Sequence, residues 1–268
     1  MHIHFLDPFH EGESPVHRID PRVKLILALA FIFTTALTPA GAWPVYLLLL
    51  SLVLSVEVLS GLGIGYVLKR ALLALPFVLA AVPLVFTLPG DPLFTFTLGS
   101  LPVTITQPGV ERFLSIALKS WISVQAAIVL ASTTSFPDLL TAMRSVKIPS
   151  LLVSIFGLMW RYLFVLADEA LRLLRARQAR SGQTDRPGLK PGGSLSWRGR
   201  VAGGMAGSLF LRAFERSDRI YMAMVARGYD GEVRSSPLPA LQPGSKLLLS
   251  ASLVLFLVLL AAAILFWS

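Results

Sequence analysis

The sequence predicts an all-α membrane protein with about five transmembrane helices and long cytoplasmic helices between the fourth and fifth spans. Hydrophobic residues make up 54% of the chain, charged residues 15%, and the mean hydropathy is +0.70. A soluble chain of 268 residues does not need that much apolar surface for its core. Because the chain has no cysteine, disulfides and thiolate chemistry are excluded.

Five apolar runs are long enough to cross about 30 Å of hydrocarbon, which takes about 20 helical residues. They are residues 25–42, 44–60, 71–88, 113–131 and 247–267. Pro76 and Pro83 lie inside the third run, so we expect a kinked helix there.

A sixth apolar stretch, residues 149–170, is set apart from these spans. If it crossed the membrane, the ARQARSG segment at 176–182 would face outside. We therefore expect a helix that is half buried against the other spans or the inner leaflet and continues into the cytoplasm.

Lysine and arginine are distributed unevenly along the chain. Residues 132–246 contain 17 of the 24 basic residues, whereas the connections at 38–44 and 89–110 contain none. Cytoplasmic flanks of membrane proteins retain positive charge. We therefore expect residues 132–246 and the amino terminus inside, with no cleavable signal, and the carboxyl terminus outside. The high pI of about 10.4 follows from the same asymmetry and does not indicate nucleic-acid binding.

The predicted organisation has four parts. They are a cytoplasmic amino-terminal segment at 1–24, transmembrane helices 1–4 at 25–131, a cytoplasmic coupling-helix region at 132–246 and the last transmembrane helix at 247–268. Within the third part, residues 181–199 are rich in Gly, Pro and Ser and predict a mobile linker between two helices.

Each of these two helices ends in an Ala-Arg pair followed by a small residue, ARQARSG at 176–182 and AMVARGYDG at 223–231. Helical spacing places arginines on one face of each helix. On the first helix Arg172 and Arg180 share a face with Ala176 and Ala179, and on the second Arg212, Arg216, Arg219 and Arg227 form a basic stripe. Gly182 and Gly228 are suited to the left-handed conformation that ends many helices.

Two interpretations of these arginines are open. The first is that they cap helix dipoles and contact anionic lipid headgroups. The second is a docking surface, since alanine beside arginine lets a partner backbone approach while the guanidinium binds a carboxylate or carbonyl. Two similar helices then suggest two similar partner subunits.

Three segments together resemble the transmembrane T component of energy-coupling factor (ECF) transporters, which are ABC-type importers. The segments are SPVHRIDPRVKL at 14–25, IPSLLVSIFGLMWRYLFVLADEALRLLRARQARSG at 148–182 and FERSDRIYMAMVARGYDG at 214–231. The resemblance covers nearly the whole chain, and the three segments in this order are specific, whereas Ala-Arg-Gly alone is not. The first motif departs from the family pattern, because Ser181 stands in the glycine position.

The resemblance implies that the two helices are coupling helices that insert Arg180 and Arg227 into grooves on two cytosolic ABC-type ATPase subunits. A separate S component in the prokaryotic plasma membrane would bind the substrate. The expected docking residues are Ala179, Arg180, Ser181, Ala226, Arg227 and Gly228, supported by Arg172, Arg212, Arg216 and Arg219. ATP and Mg²⁺ would be bound by the ATPases and no cofactor by this chain, which contains no G-x-x-x-x-G-K-[ST] loop.

The length and the SPVHRIDPRVKL and VARGYDG stretches look most like the cobalt-transport type of this family. A T component that serves nickel or vitamin S components shares every one of these motifs and stays an alternative. An intramembrane enzyme acting on lipid phosphate is a third possibility, but no HExxH or G-x-S-x-G motif supports it.

The start of the first span has a local interpretation. Asp20 followed by Pro21 predicts a helix N-cap with proline at the first helical position. Arg22 and Lys24 are then expected to anchor the span at the inner interface.

Four histidines, His2, His4, His10 and His17, lie in the first 17 residues. They are not predicted to form a metal site, because histidine alone sets no geometry and the segment is expected in the cytoplasm. His17 is assigned to the start of the first helix.

Polar residues inside the spans are given structural roles. Glu57 is expected to extend to the inner end of its span and Lys119 toward the outer end. Ser123 and Gln125 are expected to form hydrogen bonds between helices.

Overall fold

The computed structural model describes residues 9–98, 101–180, 194–231 and 238–267. Within these ranges the chain is almost entirely helical, as expected for the class. The helices are α1 Pro15–Arg18, α2 Pro21–Leu37, α3 Trp43–Ser60, α4 Ile64–Ala71, α5 Leu75–Ala81, α6 Leu84–Thr87, α7 Gln107–Thr133, α8 Phe136–Ser145, α9 Ser150–Arg180, α10 Leu195–Ala226 and α11 Pro243–Trp267. Strands β1 Pro92–Leu98 and β2 Leu101–Thr106 pair antiparallel in the connection that was expected to be a loop.

Five helices of the described chain are long and apolar enough to cross a membrane. They are α3, the interrupted helix Ile64–Thr87, α7, α9 and α11. The number agrees with the sequence prediction, but the set differs from it. Helix α2, predicted as the first span, has 17 residues and is about 26 Å long, at the lower limit for a crossing. Helix α9, which was not counted as a span, is long and apolar enough to be one.

The expected kinked span is confirmed between Ile64 and Thr87. A 3₁₀ turn at Leu72–Ala74 separates α4 from α5, and α6 follows as a separate short helix. Pro76 lies in the first turn of α5 and Pro83 directly precedes α6, the positions where proline is tolerated. Helix α7 packs against all three segments.

The chain divides into two compact units. One is Val146–Pro237, which contains α9 and α10, and the other joins His4–Ser145 with Leu238–Ser268. Below they are called the coupling unit and the span unit. The boundary between the two units falls after α8. Helix α8 belongs to the span unit because it packs against α2.

The core of the span unit is built from α2, α3, α7 and α11. Phe31, Leu49, Ile122 and Phe256 are buried in it, one from each helix. The rings of Phe31 and Phe256 pack edge to face with their centroids 5.8 Å apart, which is a favourable geometry for two aromatic rings. This core holds together helices that are distant in sequence.

The predicted start of α2 is confirmed, since the Asp20 side chain accepts a hydrogen bond from the Arg22 amide at 2.9 Å. Ser14 caps α1 in the same way and also bonds the His17 ring at 2.7 Å, which puts His17 at a helix start as expected. His2 and His4 lie outside the described residues.

Arg22 and Lys24 are not at an exposed interface, which corrects the sequence prediction. Their exposed fractions are 8% and 9%. Lys24 Nζ donates to the carbonyls of Thr133 at 2.8 Å and His17 at 3.2 Å, and Arg22 Nη1 donates to the carbonyl of Pro239 at 2.8 Å. Neighbouring chain segments cover both side chains, so each cation is satisfied by backbone oxygen instead of lipid or water.

Glu57 does not extend to the membrane surface, contrary to the prediction, but is buried at 1% exposure. Helix α7 packs against α3 and covers it. In the amide orientation that satisfies both neighbours, the Gln125 nitrogen donates to Glu57 Oε1 at 3.2 Å and its oxygen accepts from the Trp121 indole. Gln125 therefore connects two helices by hydrogen bonds, as expected for that residue.

Lys119 reaches the carboxyl end of α2 and bonds backbone carbonyls there. Its Nζ donates to the carbonyls of Ala36, at 3.3 Å, and Thr38. A cation at a helix carboxyl end satisfies carbonyls that have no partner within the helix. The turn that follows requires Gly41, whose φ is +84° and where a Cβ would lie 2.1 Å from Glu111 Oε1.

Candidate functional site

The first arginine motif lies at the end of α9. This helix has 31 residues and is about 46 Å long, and Ala179 and Arg180 are exposed in its last turn. Ser181 and Gly182 lie outside the described residues. The described helix therefore presents its terminal arginine on the surface of the coupling unit.

The second motif ends α10 in a defined backbone geometry. Gly228 has φ +83°, its amide donates to Val225 O at 2.9 Å, and the Tyr229 amide donates to Met224 O at 3.0 Å. These two bonds form a Schellman motif, and they confirm the predicted left-handed glycine. Ala226 is the last helical residue and Arg227 is the C-cap, so both are held at a fixed helix end. Both side chains are exposed.

Two of the four supporting arginines are joined by one carboxylate. Arg172 on α9 donates to Glu169 Oε2 at 2.8 Å, and Arg212 on α10 donates to Glu169 Oε1. The Glu169 side chain is 17% exposed, against 61% and 57% for the two arginines. The pair of Arg212 and Glu169 therefore joins α10 to α9, and Arg172 binds the same carboxylate from within α9.

The other arginines of the stripe point to the surface. Arg219 and Arg227 are exposed and Arg216 is half-buried. No residue along the described length of α10 is buried. The stripe is therefore a row of cations on a helix that buries none of its described residues. This favours a role for these arginines in binding a partner over a role in folding.

An apolar face lies opposite the stripe, and the sequence interpretation missed it. Phe210, Phe214, Tyr221 and Val225 follow one another at steps of four, seven and four, and they are between 46% and 68% exposed. The signal was present in the sequence, because these steps repeat on one helix face. An exposed row of large apolar side chains marks a contact with another protein or with lipid.

The predicted linker at 181–199 extends too far. Ser194 caps α10 by accepting a hydrogen bond from the Trp197 amide at 3.3 Å, and the helix begins at Leu195. The N-cap Ser194 and the first five residues of α10, 195–199, were assigned to the linker on composition alone. A serine N-cap is a better predictor here than Gly and Ser content.

The described residues contain no group of three His, Asp or Glu side chains arranged to hold a metal ion. What α9 and α10 offer is an array of exposed cations and apolar side chains on two helices. Such a surface can bind a carboxylate or carbonyl.

Comparison with known proteins agrees with this geometry. The family CbiQ, described as cobalt transport protein, matches residues 12–238. The chain belongs to this family. The match includes α1 to α10 and both arginine motifs, and α11 follows it.

Individual relatives support the same assignment. The cobalt transport protein CbiQ of Rhodobacter capsulatus is 29% identical over 69% of this chain and 72% of its own length. The energy-coupling factor transporter transmembrane protein EcfT of Exiguobacterium sibiricum is 30% identical over 82% and 83%. The uncharacterized protein MJ1571 of Methanocaldococcus jannaschii is 25% identical over 86% and 76%. This protein is therefore an integral membrane component of a transporter.

Proposed function

We propose that this chain is the energy-coupling T subunit of an ECF-type importer that takes up cobalt. It joins two cytosolic ABC-type ATPase subunits to a membrane S component that holds the ion. The observation that carries the proposal is the pair of exposed arginines, Arg180 and Arg227, at the ends of two helices in a chain of the cobalt transport protein family.

The two faces of α10 suit two kinds of partner. The ATPases are soluble, so they bind the polar face, where Arg219 and Arg227 are exposed. The S component is embedded in the membrane, so it or the surrounding lipid covers the apolar face at Phe210, Phe214 and Tyr221. Force applied to one face of a rigid helix is transmitted to the other.

The chain itself is not the enzyme in this proposal. The ATPases bind ATP and Mg²⁺ and hydrolyse the nucleotide, while this chain passes their movement on. The coupling unit and the amino terminus lie in the cytoplasm and the carboxyl terminus outside, in agreement with the excess of Lys and Arg in residues 132–246. The apolar part of α9 then lies along the inner leaflet rather than across it.

Charge reversal at the two motifs tests the proposal. Tagged wild-type chain is co-purified from detergent with its ATPases and compared with Arg180→Glu, Arg227→Glu and the double variant. We expect each single variant to retain about ten-fold less ATPase, or about 1.4 kcal/mol of binding free energy, and the double variant to retain none. Uptake of labelled Co²⁺ in the same cells falls in parallel.

Arg200→Glu is the matched control, because Arg200 is an exposed arginine on the same helix far from the motif. It carries the same change of charge and should keep both the ATPases and the uptake. If the double variant also keeps them, the arginines are helix caps and lipid contacts, and the proposal is wrong.

A T subunit that serves nickel or vitamin S components shares the same arginine motifs, so the motifs alone do not exclude it. Both types use the same ATPase contacts, so the arginine variants do not separate them. Co-purification with a vitamin-binding S component, together with no uptake of Co²⁺, would select this alternative.

A further inference from the structure

The two buried cations at the start of α2 hold carbonyls from two remote parts of the chain. Lys24 binds Thr133, the last residue of α7, and Arg22 binds Pro239, in the segment before α11. We call Arg22 and Lys24 with these two carbonyls the amino-terminal clamp. The bonded residues are 109 and 217 positions apart along the chain, so both bonds depend on the tertiary fold.

These two carbonyls lie where the chain runs toward and returns from the coupling unit. That unit is Val146–Pro237, so Pro239 is the second residue after it. On the other side, only α8 stands between Thr133 and the unit, and α8 packs against α2. Both connections are therefore fastened to the same helix, α2, and within the same unit of the structure.

The environment of the clamp makes these bonds firm. Both residues are buried, and removal of either cation leaves a carbonyl without its partner. The Asp20 carboxylate lies 3.6 Å from Arg22 Nε and helps to orient the guanidinium. The His10 amide adds a third attachment by donating to the carbonyl of Ser132 at 3.0 Å.

We propose that Arg22 and Lys24 are positioning residues. They anchor to the spans both connections of the coupling unit, the one that leads into it and the one that leads out of it. The inference rests on the proposed function, because it assigns the clamp a part in energy coupling. When the ATPases move the coupling helices, anchored connections pass the displacement to the spans. Loose connections absorb it, and ATP is then hydrolysed without transport.

The test measures Co²⁺ transported per ATP hydrolysed by the full complex with its ATPases and S component in proteoliposomes. In the Lys24→Met variant we expect the ATPases to stay bound and hydrolysis to continue, while the ratio falls about five-fold or more, the usual lower range of coupling between sites. A merely structural role lowers both rates together and leaves the ratio unchanged.

Lys119→Met is the matched control. Lys119 also bonds two carbonyls of the span unit, but they lie at the opposite end of α2, away from the connections. This variant loses comparable contacts and should keep the wild-type ratio. Equal ratios in the Lys24→Met and Lys119→Met complexes overturn the clamp, whereas a wild-type chain that binds no ATPase overturns the proposed function instead.

If Lys24→Met does not fold, hydrogen exchange on the wild-type complex decides the matter. If the two connections are anchored, amides near Thr133 and in residues 238–242 are equally protected from hydrogen exchange with and without ATP. A rise of exchange at either connection on ATP binding shows that it yields during the cycle, and the clamp is then refuted.

Discussion

Two sets of cations in this protein, one in each unit, are used differently. In the span unit, Arg22 and Lys24 are buried and Lys119 is half-buried, and each binds backbone carbonyls of a neighbouring segment. In the coupling unit, Arg180 and Arg227 are exposed at helix ends. The same residue types thus satisfy backbone in one region and face the surface in the other.

The difference teaches which cations can serve a partner. A buried cation that is bonded to carbonyls cannot leave them without exposing unpaired polar groups, so its role is internal. An exposed cation contributes little to folding on its own. Arginines such as Arg219 and Arg227 are therefore available for binding, and burial distinguishes the two roles where charge counting does not.

The contrast between buried and partner-binding cations requires the coupling unit to lie in the cytoplasm, where soluble ATPases can reach it. Because the chain has no cysteine, single cysteines report sidedness directly. We expect Ala40→Cys, in the turn between α2 and α3, to react with a membrane-impermeant maleimide in intact cells. We expect Ser217→Cys, on α10, to react only after permeabilisation.

Both positions are exposed, so each cysteine should react fully once the membrane is dissolved, which controls for access. Labelling of Ser217→Cys in intact cells would mean that α9 crosses the membrane. The exposed arginines would then face outside, and soluble ATPases could not reach them.

A smaller effect separates the two kinds of cation by stability. Lys119→Met removes the partner of the Ala36 and Thr38 carbonyls, so we expect the free energy of unfolding to fall by about 1.5 kcal/mol or more. Arg219→Met, on the exposed stripe, should leave the unfolding midpoint in detergent unchanged. Equal shifts for the two variants would contradict the distinction between internal and surface cations.

Local signals were sufficient for the helix ends. Asp20 before Pro21 and the glycine at 228 each act through hydrogen bonds within a few residues, and the structure confirms both. The number of long apolar helices and the positions of the two arginine motifs also follow from composition and spacing. These features depend on the residue and its near neighbours, which a single sequence contains.

Long-range partners could not be predicted from the same information. Glu57 is buried because α7 covers it, and Lys24 is buried because Thr133 lies beside it. Both facts depend on which helices meet, and hydropathy does not encode that. The apolar face at Phe210 and Phe214 is a different case, because the helical spacing of these residues is present in the sequence and is sufficient to predict the face.

The smallest expected effect concerns the end of α10, whose geometry is local rather than held by remote segments. In Gly228→Ala the new Cβ meets no atom within 4 Å, so only the backbone strain at φ +83° counts. We expect a loss of about 1 kcal/mol and faster hydrogen exchange at Tyr229, whose amide bonds Met224.

Gly207→Ala is the matched change inside the same helix, where a Cβ is equally free of contacts. Alanine is favoured over glycine in a helix interior by about 0.8–1 kcal/mol, so the same substitution should now stabilise. Stability changes of opposite sign in the two variants show that the backbone at position 228 requires glycine. That backbone geometry keeps Arg227 at a defined place for a partner. If both variants are stabilising, the left-handed turn is not needed, and the helix can continue through Arg227 without cost.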